Sequence, residues 1–356
     1  MLHAVIMAGG SGTRFWPQSR QNLPKQLLKL AGDRTMIQQT VDRCAGWVSS
    51  AQTWVVTNAV QAPLTAQQLP DVPVENILVE PAARNTAPCV GLAAIRILQQ
   101  DPDGIMFVLP ADHVIQPVDA FQAAGRAATE LVRQNPDRLI LFGVTPSFPS
   151  TGYGYIERSE LLTSSAPHAF SVKSFREKPA RDVAEQYLRA GTFYWNCGIF
   201  CWRAQTIVDL LRQYEPEIYD RLQKIADGYR TGNDVLETEF PQMKSISIDY
   251  AVLERARDVV VIEAPFDWDD VGSWLAVPRL TGTDADGNTI DGLHVGCETR
   301  NCIVRTNAEH LVATLGVDDL IIVHTDDATL VARRDDSERI KEILSQLESR
   351  GLSAWM

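Results

Sequence analysis

A glycine-rich turn with a nearby arginine stands near the start of the sequence, directly after a short apolar run. Gly9, Gly10 and Gly12 follow "HAVIMA", and Arg14 comes two residues later. Glycines lack a Cβ and let backbone N–H groups approach phosphate oxygens, while a guanidinium offers a planar donor fork. The spacing fits neither the G-x-G-x-x-G fingerprint nor G-x-x-x-x-G-K-[ST]. The stretch indicates phosphate binding of another kind, with a tight turn and a surface arginine as the alternative.

Lys25 and three aspartates are candidates for handling phosphate charge. Lys25, in "NLPKQLL", would supply a mobile positive charge, unless it is a solvated lysine at a helix start. Asp112 ends "GIMFVLPAD", where a carboxylate can bind Mg²⁺ together with phosphate oxygens or can cap a turn. In "FDWDDVGSW", Asp269 lies on one face of a strand and Asp270 on the other, so only part of this acidic set can reach one metal ion.

Polar residues at a strand end and at the following helix start suit a nucleotide base. Glu80 ends "ENILVE", and its carboxylate can accept the two parallel N–H bonds that guanine offers. Asn85 and Thr86 begin the helical pattern "TAPCVGLAAIRILQQ", where either residue is also a common helix cap.

Two further segments combine polar groups that suit a sugar phosphate. In "FREKP", Glu177 and Lys178 pair a hydroxyl acceptor with a cation, with a surface ion pair as the alternative. Asn196 stands inside the apolar run "FYWNCGIF", where its amide needs a protein or ligand partner.

The elements that carry these residues alternate between strand and helix. Near-continuous apolar strands such as "TWVVT" and "RLILFGV" alternate with helical patterns, which predicts an α/β fold. We expect a Rossmann-like, mixed and mostly parallel sheet with helices on both faces, extended by longer strands after residue 150. In such sheets ligands bind at the carboxyl ends of the strands, and the candidate residues fall there.

The last part of the sequence differs from the rest. A polar, turn-rich segment, "GTDADGNTIDG", precedes four short strands at close spacing and a terminal helix. This pattern predicts a catalytic domain over residues 1–281 and a small C-terminal domain, a barrel, sandwich or β-solenoid, over residues 282–356.

Composition narrows the classes of function. The 356 residues carry a net charge of -12, which disfavours nonspecific nucleic-acid binding. The six cysteines form no C-x-x-C pair, and no secretory signal or 18-residue apolar run is present. We therefore expect a cytoplasmic protein that binds neither nucleic acid nor a membrane.

The chain resembles the sugar-1-phosphate nucleotidyltransferases, and among them the bacterial enzymes that use GTP and mannose 1-phosphate. The resemblance rests on segments in family order, from residue 4 to about 275. They are "MAGGSGTRFWPQSR" with "PKQ", "EPAARNTAP", "PADH", "YGYI", "FREKP", "YWNCGIF", "SIDYAVLE" and "FDWDDVGSW". The tail "HLVATLGVDDLIIVHTDDATLVA" also resembles the family's short left-handed β-helix.

The resemblance implies Mg²⁺-assisted transfer of GMP from GTP to mannose 1-phosphate, with GDP-mannose and pyrophosphate as products. It also implies a homodimer, and no isomerase activity of the kind that longer relatives add after this tail. The site residues that it implies fall into four groups: Gly9, Gly10, Gly12 and Arg14 with Lys25 on the phosphates; Glu80, Asn85 and Thr86 beside the guanine; Gly152, Glu177, Lys178 and Asn196 on the mannose phosphate; and Asp112 with Asp270 on the metal.

Other readings of the same sequence stay open. The nearest is the same chemistry with another hexose 1-phosphate or another nucleoside triphosphate. A nicotinamide-dependent oxidoreductase also starts with a glycine-rich turn, although the glycine spacing disagrees. A non-catalytic relative would have lost charged residues such as Arg14 and Asp112, which are present.

Overall fold

The chain divides into two compact units. The computed structural model describes residues 1–10, 12–163 and 166–356, so Ser11 of the glycine-rich turn lies outside the described residues. Unit 1 consists of Met1–Gly9, Thr40–Ala111 and Ile115–Trp268. Unit 2 consists of Gly10–Gln39, Asp112–Val114 and Asp269–Met356.

Unit 1 is built on a nine-stranded sheet. The strands up to residue 269 are β1 (Leu2–Met7), β2 (Thr53–Asn58), β3 (Ile77–Glu80), β4 (Ile105–Pro110), β5 (Val114–Gln116), β6 (Leu139–Val144), β7 (Tyr155–Thr163), β8 (Ala169–Arg176), β9 (Phe193–Arg203), β10 (Val259–Glu263) and β11 (Asp267–Asp269). All except β5 and β11 belong to this sheet, in the order β3-β2-β1-β4-β9-β6-β10-β8-β7.

The sheet is mixed, as predicted. β1 pairs in parallel with β2 and β4, and β2 pairs in parallel with β3, so their carboxyl ends share one edge. β9 runs antiparallel to its neighbours β4 and β6, and β7 and β8 extend the sheet as an antiparallel pair. β7 and β8 therefore form the predicted extension of the same sheet, whereas β9, the longest strand after residue 150, lies inside the sheet between β4 and β6.

Helices accompany the strands throughout the chain. They are α1 (Met36–Asp42), α2 (Ala62–Gln68), α3 (Thr86–Gln100), α4 (Val118–Gln134), α5 (Arg181–Ala190), α6 (Ala204–Tyr214), α7 (Pro216–Thr231), α8 (Leu236–Glu239), α9 (Val277–Thr281) and α10 (Ile340–Ser349).

Both faces of the sheet in unit 1 are buried. Along β4, Met106 and Val108 enter one core with residues of α3, α6 and α7. Phe107 and Leu109 enter a second core with residues of α4. Because successive side chains of a strand point to opposite faces, this alternation confirms the predicted helical layers on both sides.

Unit 2 combines the C-terminal strands with the segment that follows the glycine turn. Its strands are β12 (Thr289–Asp291), β13 (His294–Arg300), β14 (Ile303–Arg305), β15 (Val312–Asp318), β16 (Leu320–His324) and β17 (Thr329–Arg333). They form a four-stranded sheet, β12-β14-β16-β17, and a two-stranded sheet, β13-β15. Sequence analysis predicted four of these strands; β12 falls inside the turn-rich segment and β13 follows it.

One apolar core holds unit 2 together. Phe15, Trp16, Leu30 and Met36 pack in the same cluster as residues of β14, β16, β17 and α10. Phe15 and Trp274 meet edge to face, with ring centroids 5.0 Å apart. The predicted division of the chain between residues 281 and 282 stays a prediction.

A substitution in α4 tests the packing of unit 1. A Cβ on Gly125 would lie 2.2 Å from Cη2 of the Trp47 ring. We expect Gly125→Ala to lower the free energy of unfolding by up to about 2 kcal/mol, because displacing the ring costs about 1–3 kcal/mol and the gain in helix propensity offsets about 1 kcal/mol of it. The matched variant is Ala123→Gly at an exposed position of α4, where only helix propensity changes, at a cost of about 1 kcal/mol. Urea unfolding measures both. A stabilised Gly125→Ala protein would contradict the packing.

Candidate active site

The glycine turn of unit 2 is shaped by a close approach to Lys25. Gly12 has φ +57°, and a Cβ there would lie 2.4 Å from the backbone nitrogen of Lys25. Any other residue would therefore be strained and would collide with the backbone. The Gln26 side chain donates to the carbonyl of Gly10 at 3.0 Å. The turn is thus held against the segment that carries Lys25.

Lys25 brings two distant stretches of unit 2 together. It follows Pro24 and begins a short 3-10 turn, Lys25–Leu27. Its side chain is only 7% exposed. The ammonium donates to Asp112 Oδ2 at 2.9 Å and to the backbone carbonyl of Asp270 at 2.5 Å. The alternative of a solvated lysine is wrong, because the side chain is buried. A buried ammonium needs hydrogen-bond partners of this kind.

The Asp112 carboxyl is held in its charged form. Burial works to raise its pKa, but the nearby Lys25 ammonium and the His113 ring outweigh that effect, so the pKa lies below its usual value. The side chain keeps 36% exposure. Asp112 therefore presents an ionised carboxylate that a ligand can reach.

The Arg14 and Asp270 side chains both lie beside Gly272. Arg14 Nη1 donates to the carbonyl of Gly272 at 3.2 Å. A Cβ on Gly272 would lie 3.1 Å from Asp270 Oδ2 and 3.6 Å from Arg14 Nη1. Unit 2 therefore gathers Gly10, Gly12, Arg14, Lys25, Asp112 and Asp270 from three separate segments of the chain. This arrangement joins two cations, two carboxylates and bare backbone, which suits a polyphosphate and a divalent cation.

Glu80 stands at the carboxyl end of β3 in unit 1, buried beside Gly9 of the same unit. A Cβ on Gly9 would lie 3.1 Å from Glu80 Oε2. Within the described residues, Oε1 is buried and has no hydrogen-bond partner. Burial raises the pKa of this carboxyl to about 7. Buried polar atoms normally have a hydrogen-bond partner, so this carboxyl is suited to a ligand that donates a hydrogen bond to it.

Asn85 and Thr86 bind backbone groups at the start of α3. Asn85 has φ +66°, and its side-chain oxygen accepts from Thr86 N–H at 2.8 Å. The Thr86 hydroxyl accepts from Ile248 N–H at 2.8 Å. These are bonds of the kind expected for residues that shape a helix start. The role of the pair beside a base stays a prediction.

A second polar cluster in unit 1 joins the residues after β8 with Asn196 inside β9. Glu177 Oε1 and Lys178 Nζ are 2.8 Å apart, and this hydrogen bond raises the pKa of Lys178. Asn196 donates from Nδ2 to Asp249 Oδ1 at 3.0 Å. Burial and then the neighbouring Glu177 charge raise the pKa of Asp249 to about 6. The cluster is therefore rich in acceptors, as a hydroxyl-bearing ligand would need.

Asp249 is the residue of this cluster that sequence analysis did not select. It lies in "SIDYAVLE" at the start of the π-helical segment Asp249–Leu253. The feature of the sequence that could have indicated Asp249 is a carboxylate directly before the apolar run "YAVL". Gly152, the remaining predicted residue, donates its N–H to Ser150 Oγ at 3.2 Å within the loop before β7.

The sequence matches two family descriptions that together span most of the chain. Residues 3–286 match Nucleotidyl transferase, and residues 292–347 match the MannoseP isomerase/GMP-like beta-helix domain. The chain therefore belongs to the nucleotidyl transferase family and is a nucleotidyltransferase enzyme. Members of this family generally use a divalent metal ion, and their substrates are a nucleoside triphosphate and a sugar phosphate.

Individual relatives and solved structures agree with this assignment. The mannose-1-phosphate guanylyltransferase of Klebsiella pneumoniae is 38% identical over 360 residues, covering 100% of this chain and 76% of the relative. The xanthan biosynthesis protein XanB of Xanthomonas campestris is 38% identical over 98% of this chain and 74% of its own length. The crystal structure described as mannose-1-phosphate geranyltransferase from Thermus thermophilus superposes with a TM-score of 0.86 at 31% identity, over 98% of this chain and 99% of that one.

A more distant structure matches over less of the chain. The structure described as mannose-6-phosphate isomerase from Helicobacter pylori has a TM-score of 0.61 at 25% identity, over 75% of this chain and 99% of that one. Among the described residues, none of the helices has both the length and the apolar character needed to cross a bilayer.

Removal of the Lys25 charge tests the electrostatics of the site. In Lys25→Met we expect the pKa of Asp112 to rise above its wild-type value, because burial then acts with less opposition. Carbon-13 NMR titration of aspartate carboxyls measures it. Lys29→Met, at an exposed position nearby, is the control and should leave the Asp112 pKa unchanged. An unchanged pKa in Lys25→Met would show that the ammonium does not hold this carboxylate.

Proposed function

We propose that the chain transfers the GMP group of GTP to mannose 1-phosphate and releases pyrophosphate, forming GDP-mannose. The names of the relatives from Klebsiella pneumoniae and Escherichia coli support this activity. The observation that carries it is the buried ammonium of Lys25 in contact with Asp112 and the Asp270 turn. The same chemistry with another hexose 1-phosphate or nucleoside triphosphate is the alternative.

The reaction is an in-line displacement at phosphorus. A phosphate oxygen of the sugar 1-phosphate attacks the α-phosphorus of GTP, and the bond to pyrophosphate breaks. Because the nucleophile is already an anion, the protein needs no general base and no covalent intermediate. Its task is to position two polyanions and to stabilise their combined charge.

The residues of unit 2 are proposed to act on the phosphates. Backbone N–H groups of the turn at Gly10 and Gly12 bind phosphate oxygens, and Arg14 and Lys25 stabilise charge that builds on the leaving pyrophosphate. Loss of one such contact typically costs about 3 kcal/mol, or about a hundredfold in rate.

Asp112 and Asp270 are proposed to hold Mg²⁺. Within the described residues, no three His, Cys, Asp or Glu side chains form a metal-binding group. Mg²⁺ fits such an open site, because it binds one or two carboxylates and takes further ligands from phosphate and water. When bound, Mg²⁺ neutralises phosphate charge and polarises phosphoryl oxygens.

The residues of unit 1 are proposed to recognise the base and the sugar. Glu80, with Gly9 at its side, accepts the paired N–H donors of guanine, and Asn85 and Thr86 border the base. Asn196 with Glu177 accepts hydroxyl donors of mannose, while Lys178 and the backbone of Gly152 bind its phosphate. The acceptor-rich cluster around Asn196 supports the sugar-binding role, and Glu80 Oε1, which has no hydrogen-bond partner among the described residues, supports the base-binding role.

We also propose a cytoplasmic homodimer. Strands β13 and β15 expose Val295 and Leu315, and the residues just before these strands, Leu293 and Leu311, are exposed as well; Leu315 is 77% exposed. Adjacent exposed apolar residues of this kind are typical of an interface with another chain.

The direct test is an assay of pyrophosphate release. Four nucleoside triphosphates are each combined with the 1-phosphates of mannose, glucose and N-acetylglucosamine, in the presence of Mg²⁺. We expect GTP with mannose 1-phosphate to give the highest kcat/KM. A higher value for another pair would assign that substrate instead, and no release with any pair would overturn the proposal.

Because the pKa of Glu80 is raised, the proposed contact with guanine predicts that the affinity for GTP depends on pH. Only the ionised carboxylate accepts both guanine donors, so the affinity for GTP should rise as the pH increases through about 7. Glu80→Gln should remove this dependence and reduce the preference for GTP over UTP by about tenfold or more. Isothermal titration at pH 6, 7 and 8 measures it, with Glu75→Gln at an exposed position as the control. Unchanged selectivity in Glu80→Gln would mean that the main chain reads the base.

A further inference from the structure

The turn that carries Asp270 contains a backbone conformation that its sequence disfavours. Val271 has φ +47°, in the left-handed region. A β-branched residue is an outlier there, because its Cβ substituents crowd the neighbouring backbone. Such a conformation persists only where surrounding contacts determine it. The adjacent Gly272 does not relieve this strain, because the positive φ falls on the valine.

Asp269 makes the polar contact within the turn, while the Val271 side chain is buried in the core of unit 2. Asp269 accepts from Val271 N–H through Oδ1 at 2.7 Å. Its Oδ2 accepts from Arg279 at 2.9 Å from Nε and at 2.8 Å from Nη2. The carboxylate thus joins the strained turn to helix α9, and Arg279 Nη1 also donates to the Leu275 carbonyl at 3.0 Å.

Lys25 and Arg14 also contact the turn. Lys25 donates to the carbonyl of Asp270 and Arg14 to the carbonyl of Gly272. These carbonyls stand on either side of Val271, whose N–H is bound by Asp269. A rotation of the backbone at Val271 would therefore move the Asp270 carboxylate and disturb both contacts.

We propose that Asp269 is a positioning residue, which together with Arg279 keeps Val271 in its left-handed conformation and so orients Asp270 toward the metal. This inference rests on the proposed function, because it assigns Asp270 a role as a metal ligand. In this proposal Asp269 makes no direct contact with substrate or metal. It acts through the geometry of the turn.

An ordinary surface ion pair is the competing explanation. Arg279 is 58% exposed, and exposed pairs stabilise proteins only slightly. The two explanations differ in one respect. A positioning role depends on the backbone strain at Val271, whereas a surface ion pair does not. Glycine adopts a positive φ without a steric cost, so Val271→Gly removes that strain. Because the Val271 side chain is buried in the core of unit 2, its removal also lowers stability, so the variants are compared only where circular dichroism shows them to be folded.

The test compares Asp269→Ala, Val271→Gly and the double variant with the wild-type protein. For each we measure kcat and KM for pyrophosphate release, the affinity for Mn²⁺ in the presence of GTP, and the midpoint of thermal unfolding. Asp267→Ala is the matched control, because Asp267 lies two residues away on the same strand and is exposed.

We expect Asp269→Ala to lower kcat and to weaken Mn²⁺ affinity by about tenfold each, which corresponds to release of a strained residue, with the KM for GTP little changed. Val271→Gly in the same chain should restore most of both losses, and Asp267→Ala should leave both unchanged. The inference is overturned if Asp269→Ala changes only the unfolding midpoint, or if Val271→Gly restores nothing.

The outcomes also separate this inference from the proposed function. If the wild-type protein releases pyrophosphate with no substrate pair, the proposed function fails before any variant is compared. If the wild-type protein is active and Asp269→Ala matches it in kcat and Mn²⁺ affinity, only the positioning role fails. Asp269→Asn, which keeps the acceptor for Val271 N–H but loses the charge, should show a smaller loss than Asp269→Ala.

Discussion

The buried ammonium of Lys25 is the interaction on which the rest of unit 2 depends. Removing a charged amine from water is costly, and its partners must offset that cost. The partners are the Asp112 carboxylate and the Asp270 carbonyl, which lie 87 and 245 residues further along the chain. Because the Lys25 ammonium binds both the Asp112 carboxylate and the Asp270 carbonyl, the two segments that carry these residues are held together before any ligand binds. The proposed polyphosphate site is therefore preorganised, which is what electrostatic catalysis of phosphoryl transfer requires.

The C-terminal strands support this site through the core of unit 2. Trp16 donates from Nε1 to the carbonyl of Trp355 at 2.7 Å, and Arg20 pairs with Asp327 at 2.7 Å. Arg305 of β14 donates to the carbonyls of Lys29 and Leu30, close after Lys25 in the chain. The segment that carries Arg14 and Lys25 is therefore fixed by residues from the end of the chain. The C-terminal strands contribute to the candidate active site as a scaffold rather than as an appendage.

Local patterns predicted the parts of the fold that local chemistry determines. The apolar strands, the helix over residues 86–100 and the glycine turn follow from periodicity and from the steric freedom of glycine, as at Gly12. Burial of Lys25 could not be predicted, because it depends on carbonyl and carboxylate partners far away in the sequence. Asp249 was missed for the same reason: its partner Asn196 lies 53 residues earlier. Strand β13 was missed because its side chains are mostly exposed, so it lacks an apolar pattern.

The central claim is that Asp112 and Asp270 serve a single metal ion beside Lys25. A double-mutant cycle in the affinity for Mn²⁺, measured in the presence of GTP, tests it most directly. The variants are Asp112→Asn, Asp270→Asn and the double variant, each confirmed as folded by circular dichroism. Two ligands of one ion are coupled, so each single variant should weaken binding by about tenfold or more, and the double variant little further. If the losses multiply, or if either single variant binds Mn²⁺ as tightly as the wild-type protein, the two carboxylates do not share an ion.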